Sequence, residues 1–63
     1  MNKIKAICEK KGLSYAEVAR KAGVTPMYVG LLAKEERKNP SLKKMQKIAL
    51  ALGEKTENVF DMN

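Results

Sequence analysis

Residues Ser14 to Leu32 read SYAEVARKAGVTPMYVGLL, two helical patterns joined at a glycine. Ser14 stands three residues before Glu17, the spacing of a capping box. Its hydroxyl can accept from the Glu17 backbone N–H while the Glu17 carboxylate reaches back to the Ser14 N–H. Val18, Ala19 and Ala22 then share one helical face, and Gly23 stops the helix. Leu13, just before the cap, is placed to staple onto Val18. A second helix opens at Thr25-Pro26, with Thr25 as N-cap and Pro26 at the first helical position, where a missing N–H costs nothing. Val29, Leu32 and Ala33 form its inner face. The two helices are joined through Gly23, and small Ala19 sits where they must cross closely.

Outward from this hairpin the same punctuation repeats. NKIKAICEKKG (2–12) puts Ile4, Ile7 and Cys8 at i, i+3 and i+4, with two lysines and a glycine as the stop. KEERKN (34–39) is a charged loop closed by Pro40. Ser41 caps a fourth helix whose Leu42, Met45, Ile48, Ala49 and Leu52 recur at helical spacing, ended by Gly53. A short turn after Thr56 carries Val59 and Phe60. No alternating strand pattern appears, so the expected fold is all-α: one compact domain of five helices over residues 1–63.

Composition narrows the function classes. Sixty-three residues leave no room for a second domain or for an enclosed catalytic cleft, so an enzyme is not expected. The single cysteine and the absence of histidine argue against a disulfide framework, a zinc site or a Cys–His nucleophile. No cofactor or small-molecule ligand is expected. No apolar run approaches the roughly 18 residues of a membrane span, and a lone thiol suits a reducing, cytoplasmic setting. Thirteen basic against seven acidic side chains give +6, and an isoelectric point of about 9.7 is the electrostatic footprint of a polyanion binder. Solubility alone also explains such a charge.

Two helices joined by three or four residues with a glycine are the unit of helix-turn-helix proteins, although generic helical hairpins share it. Three further landmarks sharpen the pattern: GLS..EVA.KAGV at 12–24, NPSL at 39–42 and IALALG....NVF at 48–60. With these, the chain resembles the lambda-repressor-like (Cro-type) helix-turn-helix family over nearly its full length. That resemblance implies a helix-turn-helix at about 14–34 and a dimeric regulator of transcription bound to paired half-sites on a double-stranded DNA operator. It also implies phosphate contacts from the start of the second helix, at Ser14 and Tyr15, and from the loop before the fourth.

The sequence departs from the family where relatives read bases. Polar residues common there are replaced by Pro26, Met27 and Leu31. The usual glycine after the recognition helix is Glu35, and Cys8 and Ala33 stand where relatives often pair Arg with Glu. Met27, Gly30, Leu31 and Lys34 are expected to face outward, with Pro26 beside them, as the base-facing set. Met27 and Leu31 suit thymine methyl groups, and Lys34 a guanine edge or a phosphate. Thr25, Tyr28, Arg37, Lys38, Asn39 and Ser41 are the expected backbone contacts, although Tyr28 also suits a half-buried filler. Lys55, Val59, Phe60 and Met62 are the expected dimer surface, with Phe60 mainly closing the core. The alternative is a protein-interaction module that docks through the apolar outward face of the third helix.

Overall fold

A computed structural model describes residues 2–36 and 40–60. Five helices follow in order: α1 Ile4–Lys11, α2 Tyr15–Ala22, α3 Pro26–Ala33, α4 Leu42–Leu52 and α5 Thr56–Val59. The caps are those expected. Ser14 Oγ accepts from Glu17 N–H and Glu17 Oε1 accepts from Ser14 N–H, both at 3.1 Å. Thr25 Oγ1 accepts from Tyr28 N–H at 3.1 Å and Ser41 Oγ from Lys44 N–H at 3.2 Å. The Ser14 N–H donation is the main reason the Glu17 carboxyl is held below its ordinary range.

Helices α1, α2 and α4 end on Gly12, Gly23 and Gly53, each left-handed. In each the residue after the glycine donates to a carbonyl five residues back: Leu13 to Cys8, Val24 to Ala19 and Glu54 to Ala49. This is the Schellman closure. Helix α3 closes in the same way, with Glu36 N–H donating to the Leu31 carbonyl. Its left-handed residue is Glu35, at φ 61°. A side chain in that conformation costs roughly 1–2 kcal/mol, so the geometry that glycine serves elsewhere is kept here at some strain.

Helix α2 is the centre of the packing, touching both α3 and α4. Ala19, Ala22 and Ala49 are buried, and their small side chains let the helix axes approach closely. Ile4, Val18, Val29, Leu32, Ile48, Leu52 and Val59 fill the interior. Leu42 departs from the expected inner face of α4 and is 52% exposed, whereas Ala51 joins the core. The core begins one turn later, at half-buried Met45, because the first turn of α4 extends past the packed surface.

The two ends of the described chain are tied together. Lys3 N–H donates to the Val59 carbonyl at 2.8 Å, and Asn2 forms an isolated antiparallel bridge with Phe60. Asn2 also starts α1: its Oδ1 accepts from Ile4 N–H, while its Nδ2 donates to the Leu32 carbonyl at 2.7 Å.

Lys11 joins α1 to the end of α4. Its Nζ donates to the Leu52 carbonyl at 2.7 Å and pairs with Glu54 Oε2 at 2.9 Å. Lys11 accordingly holds the Glu54 carboxyl below its ordinary value of 4.5. A depressed carboxyl stabilises the fold above its unfolded pKa and loses that contribution as pH falls through the folded value. Lys11→Met is expected to cost about 1 kcal/mol at neutral pH, the usual worth of a hydrogen bond. In acid the gap to the parent should narrow without closing, because Glu54 titrates and the Leu52 carbonyl does not. Thermal melts of both proteins at the two pH values check this, and a gap independent of pH would rule out the Glu54 contribution.

Candidate functional site

The site is built on the α2–turn–α3 unit. Gly23 lets the chain reverse, Val24 packs against the core, and Thr25 begins α3. Val29 and Leu32 are buried and anchor α3, with Ala33 partly buried beside them. Successive residues of a helix are about 100° apart, so Met27, Leu31 and Lys34 fall on the opposite side. Met27 is 75% exposed; Pro26 and Lys34 are exposed, and Leu31 is half-buried.

Gly30 is placed differently from the expectation. A Cβ built on it would meet Tyr15 Cδ2 at 3.8 Å, an ordinary van der Waals contact. Its bare edge therefore lies on the flank toward the first residue of α2, a quarter-turn from Val29. The notch accommodates the Tyr15 ring and admits alanine without overlap.

Tyr15 has a packing role beside the phosphate contact expected of it. Its half-buried ring packs against the core and lines a shallow groove with Lys5, Cys8, Glu9 and Leu13. Burial first, then the fields of Cys8 and Glu9, push its hydroxyl pKa up. The ring bridges α1 and α3. Ser14, Thr25 and Ser41 stand exposed at the starts of α2, α3 and α4. Each hydroxyl oxygen is engaged in capping, which leaves its own proton able to donate outward. Tyr28 is half-buried, and Lys44 Nζ lies 4.9 Å from its ring centroid, a cation–π arrangement. Arg37, Lys38 and Asn39 lie outside the described residues.

Lys44 is the residue that reading by motif missed. The signal was present in the sequence: Leu42–Leu52 carries Lys43, Lys44 and Lys47 and no acidic residue. Its proximity to α3 is a tertiary fact.

At the expected dimer surface the structure corrects Val59, which is 1% exposed, and it closes Phe60 into the core as well. Both are held there by α5 packing on α4 and by the chain-end ties. Lys55 is exposed, and Met62 lies outside the described residues. Among the described residues, the large apolar side chain open at this end is Leu50, 80% exposed in the last turn of α4. Cys8 is 4% exposed. Burial, then Glu17, pushes its thiol pKa up, which suits a core residue and disfavours the reactive thiolate.

Comparison with known proteins places this arrangement. A family described as helix-turn-helix, HTH_3, matches residues 4–59. A structure of a SinR protein/SinI protein complex superposes with a TM-score of 0.80 at 30% identity, over 94% of this chain and 57% of that one. The chain thus spans a little over half the length of that relative. The crystal structure of "the master regulator for biofilm formation SinR in complex with DNA" superposes with a TM-score of 0.77 at 31% identity, over 86% of each chain. No curated protein matches.

Proposed function

Because this chain belongs to the lambda-repressor-like helix-turn-helix family, we propose that it binds double-stranded DNA through α3 and regulates transcription as a dimer on paired half-sites. The observation that carries the reading is the outward face of α3. Met27 stands open with Leu31 beside it and Lys34 at the end, while Val29 and Leu32 root the helix in the core. An α-helix with its side chains is about 10–12 Å across, which fits the roughly 12 Å width of the major groove. The SinR–DNA complex supports the same use of the fold.

Met27 and Leu31 cannot make bidentate hydrogen bonds to guanine or adenine. They can pack on the thymine 5-methyl group, which distinguishes A·T from T·A. Lys34 reaches a phosphate or a guanine edge. The hydroxyls of Ser14, Thr25 and Ser41 lie at helix starts, where N–H dipoles favour phosphate, and Arg37, Lys38 and Asn39 extend this set by the sequence reading. Paired half-sites about 34 Å apart require a two-fold contact between copies. Exposed residues toward this end of the chain include Leu50, Lys55 and Asn58, and Met62 extends the set by the sequence reading.

The test is an operator selected from a random-sequence duplex library. Binding is expected to weaken steeply with salt, with a log–log slope of about −0.9 per phosphate contacted. Replacing its thymines with uracil is expected to weaken binding by about 1 kcal/mol or more per contacted methyl, by analogy with a mismatched pair. Leu31→Ala should erase most of that difference. Equal binding of thymine and uracil operators would remove methyl readout. Absence of any salt-sensitive DNA binding would overturn the function and favour a protein partner for the face of α3.

A further inference from the structure

Two of the three lysines of α4 sit where a helix least favours them. The N–H dipoles of a first helical turn present positive charge, which makes acidic residues the stabilising choice there. Helix α4 instead has Lys43 and Lys44 in that turn and Lys47 in the next, with no acidic residue along its length. At about 100° per residue, these three occupy one side of the helix, and all are exposed. Lys44 is distinguished by its setting, with its ammonium over the Tyr28 ring at 4.9 Å. Tyr28 is three residues before Leu31, so its ring forms the lateral edge of the α3 surface. The ring attracts the ammonium through its negative face, and the three N–H donors of a lysine leave some directed to solvent.

We propose that Tyr28 is a positioning residue, an aromatic platform that aims Lys44 at a DNA phosphate alongside the groove occupied by α3. The inference rests on the DNA-binding reading above and assigns Lys44 a contact within it. An unrestrained surface lysine loses rotamer freedom when it binds; one already held on a ring loses less. The platform also explains the half-buried position of Tyr28, whose ring joins the core on one side and carries a cation on the other. Duplex phosphate is the occupant because the Lys44 edge is continuous, through Tyr28, with the exposed face of α3.

The experiment measures binding of the full chain to a mixed-sequence DNA duplex as a function of salt. Lys44→Gln should reduce the log–log slope by about 0.9, the loss of one phosphate contact. Tyr28→Phe should keep the parent slope, because the ring face survives. Tyr28→Leu should lower the slope, and adding Lys44→Gln to it should change little more. If Tyr28→Leu does not fold by circular dichroism, the Phe variant and Lys44→Gln decide. Lys10→Gln is the control for net charge, since Lys10 lies near Glu54 beyond the opposite end of α4, and it should leave the slope unchanged. An unchanged slope for Lys44→Gln, or an equal fall for Lys10→Gln, overturns the assignment while leaving DNA binding intact. A folded Tyr28→Leu with the full slope overturns the platform. A parent protein that does not bind duplex overturns both this inference and the function it rests on.

Discussion

Val59→Asp is expected to unfold the protein. Val59 is 1% exposed, so the carboxylate would enter the core without a cation. The effective penalty of burying such a charge is several kcal/mol. At roughly 0.05–0.15 kcal/mol per residue, a domain of this length has a total stability of about 3–9 kcal/mol. One substitution is therefore comparable with the whole margin. Far-ultraviolet circular dichroism should show helix content lost, or a melt shifted below room temperature. Leu50→Asp provides the contrast: at 80% exposure it should retain the fold and parental melting, and weaken only the dimer proposed above, read by sedimentation. A Val59→Asp protein with parental helix content and melting would show that this side chain is not core, and would restore it as a surface residue.

Cys8→Arg is expected to cost about 3–5 kcal/mol, the range for an uncompensated buried charge. Cys8 is 4% exposed on α1, which packs against α3, and Ala33 at the end of α3 is packed partly buried against the same core. By the family resemblance, these two positions correspond to an Arg–Glu pair. Ala33→Glu added to Cys8→Arg should therefore recover part of the loss. Denaturant unfolding of the parent, both single variants and the double variant gives the coupling energy directly. Strict additivity would show that the two sites do not communicate. Replacement of a buried ion pair by apolar packing is often neutral or stabilising, which accounts for Cys8 and Ala33 being tolerated together.

What could be read from residue order follows from the range of the forces involved. The Ser14–Glu17 box, the Thr25 and Ser41 caps and the Gly12, Gly23 and Gly53 stops act within a few residues of chain. Spacing alone identifies them, and all are present. Helical periodicity likewise placed Val18, Val29, Leu32, Ile48 and Leu52 in the core, because burial of one face is what stabilises a short helix. The helix-turn-helix was legible for the same reason.

Periodicity says which side of a helix is apolar, but not how far the packed surface extends or what covers it. Leu42 has the inward spacing, yet it lies beyond the end of the core. Val59 looked available to a partner until the chain-end ties and the packing of α5 on α4 closed over it. The Tyr15–Gly30 notch joins residues 15 apart in sequence, Tyr28–Lys44 joins residues 16 apart, and Lys11 reaches the Leu52 carbonyl across 41. No local rule encodes such pairs; they exist only after α2 has drawn α3 and α4 onto itself. The helices, their ends and the outward side of α3 are legible in residue order, since they depend on short-range hydrogen bonds and on period. Which residues flank that side is not legible there, because flanking contacts are set by where distant helices cross.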